Sequence, residues 1–211
     1  VRKINNEIKL QPVLNIVHQE VLVPVDNGIL TLACREGILA SVVLKDGENY
    51  TLVSEVGYME LGNEVAVFFA PGEFDPSIFY GGVTTPAESW NGESWDYPAL
   101  KDITDCKYVL VYGLANDQGG YVLADNEYHS LIGENEEVNA ISKKSGSTFA
   151  KAFIDLVSSV NWYWLIKSTI VKTMVLFWIE SWKLKVENWK LKIKGLRRNY
   201  IQIKITEFVR F

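Results

Sequence analysis

Cysteine is scarce in this sequence: Cys34 and Cys106 are the only two among 211 residues. Each lies in an apolar, strand-like context, LACREG and DCKYVLVYG. Two thiols so placed make neither a disulfide framework nor a zinc–thiolate cluster, and a structural role is expected for both. Histidine is equally sparse. His18 falls in a stretch that reads as a first helix and His129 in a polar loop, and neither sits in a metal-ligand motif. Low-complexity tracts and solenoid-period repeats are missing, which leaves one globular domain or one and a half. No basic stretch followed by an apolar one opens the chain, so no signal peptide is visible. The first residue is Val1 rather than Met, and the sequence reads as a cut through a longer protein.

What is present is a core-forming composition, with 48% hydrophobic and 22% charged residues. The net charge of −5 hides a division. Residues 1–160 hold 10 Lys and Arg against 23 Asp and Glu, a balance of −13, whereas residues 161–211 hold 11 against 3, a balance of +8. A swing of that size at one point predicts two units with different surroundings, 1–160 and 161–211. The acidic body opposes phosphate approach, so no nucleic-acid partner is expected.

The first 60 residues read as short strands, Val21–Val25, Ile29–Ala33, Ile38–Leu44 and Tyr50–Val53, separated by turn residues at 26–28, 35–37 and 46–49. Asn5–His18 is open to a helical reading. Val65–Ala70 is an unbroken apolar run ended by Pro71-Gly72, and Lys107–Leu114 is a second; both suit strands buried on two faces. Phe74–Leu100 reads as an ordered surface loop. Its Trp90 and Trp95 either line a pocket or pack on their own domain. Val138–Val157 keeps helical spacing and predicts an amphipathic closing helix. The fold class expected is α/β, a central mixed sheet with flanking helices, plus a basic, β-leaning C-terminal appendage.

That appendage begins with Trp162–Ile179, strongly apolar but broken by Lys167 and Lys172. A membrane-spanning helix needs about 20 mainly apolar residues, so spanning is not the favoured reading. From Trp182 apolar residues alternate with lysines, and Ile201, Ile203 and Ile205 continue the alternation, the period of a half-buried strand. A β-hairpin is one reading. A membrane-interface segment is the other, with lysines attracting anionic lipid and Trp162, Trp164, Trp178, Trp182 and Trp189 anchoring.

Two corners carry the chemistry. In the first, the apolar strand runs into Pro71-Gly72-Glu73, setting a carboxylate at the C-terminal end of a buried strand, where α/β sheets place ligands. The second is Gly113-Leu114-Ala115-Asn116-Asp117-Gln118-Gly119-Gly120-Tyr121, whose glycines permit close backbone approach or positive φ. It lacks the spacing of a dinucleotide fingerprint. The blander reading makes Glu73 a solvated turn residue and Asn116 and Asp117 local turn formers.

Taken with Glu55-Val56-Gly57-Tyr58-Met59-Glu60-Leu61-Gly62-Asn63 ahead of them, and Gly120-Tyr121-Val122 then Glu127-Tyr128 behind, the corners resemble the neutral/alkaline ceramidases and their bacterial relatives over roughly residues 20–157. The resemblance implies the C-terminal part of a zinc-dependent amide hydrolase that splits N-acylsphingosine into fatty acid and sphingosine. It implies zinc held by two His, one Glu and one Tyr, of which Glu73 matches the Glu and Tyr121 is the nearest match to the Tyr. The cofactor would be zinc in a site incomplete in this chain, the substrate a lipid-like amide, and the location secreted or membrane-associated. The family's histidine ligands and serine motif have no counterpart here, so the catalytic group is unassigned and the chain is expected to be inactive without an N-terminal half. The competing reading is a non-catalytic surface or membrane-associated binding module.

Overall fold

The computed structural model describes residues 7–39, 41–129 and 136–195. The chain divides into two compact units, 1–162 and 163–211. The first unit is mixed α/β: its main sheet contains antiparallel and parallel strands in the order β1-β3-β4-β6, with β2 pairing to β3 as well.

β1 (Leu14–Val25) and β3 (Asn49–Leu61) pair antiparallel over their length. β2 (Val43–Asp46) folds onto the start of β3, and β4 (Val65–Phe69) onto its end. Gly62 and Asn63 form the β3–β4 turn at φ 63° and 58°, values that glycine and asparagine tolerate best. The period-2 alternation of β3 turns Tyr50, Leu52, Val56 and Tyr58 inward. β6 (Tyr108–Tyr112) then joins β4 in parallel.

The inner face of this sheet is covered by the first turns of α3 (Ser145–Gly195), which bury Phe149, Ala152, Phe153, Leu156, Val157 and Val160 at helical spacing. Phe153 meets Phe68 and Phe79 edge-on at 5.3 and 5.7 Å between ring centroids, and Phe68 meets Tyr58 at 5.1 Å. Aromatic pairs in this geometry contribute beyond their buried area.

Several expectations are corrected. Residues 29–33 are not a strand but lie in α1 (Gly28–Arg35). Asn27 caps that helix: its side-chain oxygen accepts from the N–H groups of Ile29 and Leu30 at 2.9 and 3.2 Å, and its amide donates to the carbonyls of Val138 and Ala140 at 2.8 and 2.9 Å. The helical reading of Asn5–His18 fails from Leu14 onward, where β1 begins. Among the described residues β6 is an edge strand, with Tyr108, Leu110 and Tyr112 exposed on one face and Val109 and Val111 half-buried on the other. Val138 lies in a short 3-10 turn, and the closing helix starts at Ser145.

In the second unit, residues 163–195 are helical, so the strands expected from Trp182 to Lys194 are not formed. Extending an existing helix costs little per residue, and Trp, Leu, Lys and Glu offer no glycine or proline to stop it before Gly195. No described helix is long and apolar enough to cross a membrane. The isoleucine alternation at 201–205 lies outside the described residues.

Candidate functional site

β4 and β6 lie side by side in parallel, so both corners leave the sheet at the same edge. Backbone hydrogen bonds then stitch one corner to the other. The Ala70 N–H donates to Tyr112 O at 2.8 Å, Ala115 N–H to Ala70 O at 2.9 Å, Leu114 N–H to Gly72 O at 3.1 Å and Gly119 N–H to Pro71 O at 2.6 Å. Glu73 N–H follows, donating to Gly120 O at 2.8 Å.

Such closeness dictates the glycines. A Cβ on Gly72 would stand 2.6 Å from Gly120 O, and one on Gly120 would stand 2.0 Å from Asn139 O, at a φ of +66°. The close approach allowed by the sequence is what these two positions require.

Two short strands emerge from this crossing, β5 (Glu73–Phe74) and β7 (Tyr121–Val122), paired in parallel with Glu73 opposite Tyr121 and Phe74 opposite Val122. Facing residues of neighbouring strands project to the same side, with backbones about 4.8 Å apart. Phe74 and Val122 turn into the core, where Phe74 packs on Phe79 and Phe149 at 5.5 and 5.4 Å. Glu73 and Tyr121 therefore share the opposite side, Glu73 exposed and Tyr121 half-buried. Below them Asp75 N–H bonds Val122 O at 2.9 Å, and the Asp75 side chain caps α2 (Pro76–Tyr80) through Ser77 N–H at 2.7 Å.

The neighbouring polar residues are occupied locally. The Asp117 carboxylate accepts from Gln118 N–H at 2.8 Å and the Ser41 hydroxyl at 3.3 Å. The Asn116 amide donates to Glu55 at 2.9 Å, and Glu55 also meets His18 Nδ1 at 3.0 Å on the outer face of the sheet. The His129 ring lies tilted against Trp90, ring centroids 3.7 Å apart, and its backbone N–H donates to the Glu137 carboxylate at 3.3 Å. Trp90 is exposed, whereas Trp95 packs in part against the core and lines two open clefts with Tyr97. The larger, of about 570 Å³, is polar, with Lys144 held by Asp125 at 3.2 Å; that hydrogen bond raises the lysine's pKa.

Sequence reasoning missed a buried polar cluster within the 55–63 segment. The fully buried Tyr58 donates its hydroxyl proton to Glu60 at 2.7 Å and lies 2.8 Å from the Thr104 hydroxyl, while the Asn15 amide holds the other Glu60 oxygen at 3.1 Å. Burial pushes the Tyr58 phenol and the nearby Cys106 thiol up, opposing ionisation of either. The signal was available: Tyr58 and Glu60 share the inward parity of a strand that also buries Val56.

A carboxylate ligates zinc and a phenol can be recruited to do so, but two protein groups leave a zinc shell incomplete. Among the described residues, no three or more His, Cys, Asp or Glu come together in a way that could hold a metal. Glu73 and Tyr121 thus supply at most part of a shell.

No family model matches the sequence, and no curated protein matches it. Among solved structures the chain is similar to a neutral ceramidase from Pseudomonas aeruginosa, with 17% identity and a TM-score of 0.36. That similarity covers 52% of this chain and 15% of the ceramidase chain.

Proposed function

We propose that this chain forms the C-terminal part of the catalytic domain of a ceramidase-type zinc amide hydrolase, acting on the amide between a fatty acid and a sphingoid base. One observation carries the reading. Glu73 and Tyr121, the two residues that the motif resemblance nominates as metal ligands, come from separate corners and are register partners at the C-terminal edge of two parallel strands.

In this reading Glu73 and Tyr121 hold one flank of the zinc, and the remaining ligands and the nucleophile come from an N-terminal half. When bound, zinc lowers the pKa of a coordinated water and polarises a carbonyl. The chain's own work is positional. The crossing at Gly72 and Gly120 fixes the backbone of both ligands, and Phe74 and Val122, anchored in the core, set which way the ligands point. A secreted or membrane-associated location goes with a lipid-like amide substrate.

The test is zinc content and hydrolysis of a fluorogenic ceramide, for this chain alone and joined to the N-terminal half of a ceramidase-type enzyme. Metal and activity are expected in the joined form only, and Glu73→Ala should abolish both with the fold intact. A joined form without metal, or one indifferent to Glu73→Ala, refutes the reading.

A second reading, a non-catalytic membrane-surface module, is favoured by Met174–Ile179, six consecutive apolar residues that are all exposed, with Lys172 and Lys183 to either side. Binding to anionic but not zwitterionic vesicles, lost when Phe177 and Trp178 become serine, would support it. Equal recovery with and without vesicles would end it.

A further inference from the structure

Among the described residues β1 is an open edge: it pairs with β3 along one side and ends the strand order. The Val13 carbonyl accepts from Gly62 N–H at 2.9 Å, one step beyond the Leu14–Leu61 pair. Antiparallel ladders alternate, so the odd-numbered residues of β1 turn their peptide groups to β3 and the even-numbered ones turn theirs outward. Pro24 has an even number, so its missing N–H costs the ladder nothing. Asp26, the next even position, already donates to Ile141 O at 3.3 Å.

Long exposed edges invite another strand, and proteins usually blunt them with lysines, prolines or bulges; the one proline of β1, Pro24, lies beyond Ile16–Leu22. β1 contains no Lys or Arg, and its register with β3 runs without a slip from Leu14–Leu61 to Val25–Tyr50.

From Ile16 to Leu22 the strand reads Ile-Val-His-Gln-Glu-Val-Leu, a chemical palindrome centred on Gln19. Two copies related by a two-fold axis at Gln19 set Ile16 against Leu22, Val17 against Val21 and His18 against Glu20, each pair twice. An axis at His18 would instead set Ile16 against Glu20, and an axis at Glu20 would oppose two carboxylates and set His18 against Leu22. An axis between residues would turn the inner face of one copy outward. Only the Gln19 axis pairs like with like in hydrophobicity and sets each imidazole against a carboxylate.

A second observation agrees. Glu20 stands directly across the ladder from Glu55 and has no ion pair among the described residues, whereas Glu55 is engaged by His18 and Asn116. The two-fold pairing would bring His18 of a second copy to Glu20.

We propose that this chain associates with a second copy of itself by antiparallel pairing of the two β1 edges about Gln19, which continues the sheet across both protomers. The even residues from Ile16 to Leu22 make about eight backbone hydrogen bonds across the seam, two for each facing pair. The contact is a strand edge rather than a broad face, so the dimer is weak and concentration-dependent. The inference is independent of the zinc reading.

The test is sedimentation of the full chain over a wide concentration range, with two charge variants. Glu20→Lys takes away the carboxylate that accepts from the facing imidazole and His18→Glu opposes two carboxylates, so each alone weakens association on the order of tenfold. Mixed together they restore it, because the new lysine meets the new glutamate and the native His18 meets the native Glu20. Covalent capture fixes the register. With Cys34 and Cys106 both changed to serine, Gln19→Cys faces itself in a non-hydrogen-bonded pair, with Cα atoms about 4.5 Å apart and within disulfide reach. Mild oxidation should link Gln19→Cys into a dimer and leave Leu22→Cys unlinked. A chain monomeric throughout, a mixture no tighter than its components, or equal linking at both positions would overturn the proposal. The last two are what association through another surface would give.

Discussion

Replacing Gly120 by alanine tests the crossing that holds Glu73 beside Tyr121. The new Cβ would stand 2.0 Å from Asn139 O, at a φ of +66°. A left-handed conformation costs a non-glycine residue about 1–2 kcal/mol. The contact adds more, because the carbonyl must retreat by more than an ångström and give up the antiparallel bridge between Gly120 and Ala140. Losing that backbone pairing and straining its surroundings adds about 1–3 kcal/mol, for a total of about 2–5 kcal/mol. Gly47 provides the comparison: its φ is +60° and nothing lies within 4 Å of a built Cβ. Gly47→Ala should therefore show the conformational cost alone, about 1–2 kcal/mol. Urea unfolding of both variants, followed by tryptophan fluorescence, measures the difference through the midpoint at constant slope. Equal losses for the two variants would refute the idea that close approach, rather than backbone sign, fixes this corner.

Two further outcomes follow from buried polar groups. Asn27→Ala removes a cap and two amide bonds to the 138–140 backbone at a residue only 1% exposed, so a loss of about 2–4 kcal/mol is expected in the same assay. Tyr58→Phe leaves Glu60 and Thr104 without their shared hydroxyl and should cost about 1–3 kcal/mol near neutrality. It should also flatten the alkaline limb of stability. The folded phenol titrates above its unfolded value, so its stabilising effect is fully present below about pH 10 and is lost as pH rises beyond it. An unchanged alkaline limb in Tyr58→Phe would contradict that assignment.

The central strands were legible because burial and period coincide in them: Val65–Phe69 is an apolar run between two partners, and the inward alternation of Tyr50 to Tyr58 has the period of a pleat. The errors have physical sources. Ile29–Ala33 carries β-favouring residues, but Asn27 supplies a buried cap whose partners lie more than 100 residues away, and no local window holds that information. Lys107–Leu114 is apolar enough for a central strand, and only topology makes it an edge. From Trp182 the period-2 pattern of lysines yielded to the cheap extension of a helix begun at Ser145. For the candidate site, the sequence located both corners and both glycine-dependent turns. The pairing of Glu73 with Tyr121 was not visible in it, since that follows from the parallel alignment of β4 with β6 and the bonds that lock the corners together.

Glu73 differs in kind from the buried polar residues of the fold. Asn27, Tyr58 and Glu60 are buried and fully engaged, and each holds pieces of the fold together through its side chain. Glu73 is exposed, and what fixes it is backbone: its N–H is bonded to Gly120 O, Gly72 before it tolerates no Cβ, and Phe74 after it is anchored among aromatic rings. Its direction is therefore set by its neighbours, while its carboxylate adds little to the core. Surface substitutions away from packing and capping sites usually change stability by under about 0.5 kcal/mol, so Glu73→Gln should leave unfolding nearly untouched. Because Gly120→Ala should disturb both stability and register, the two variants separate the cost of building this corner from the use of the group it presents.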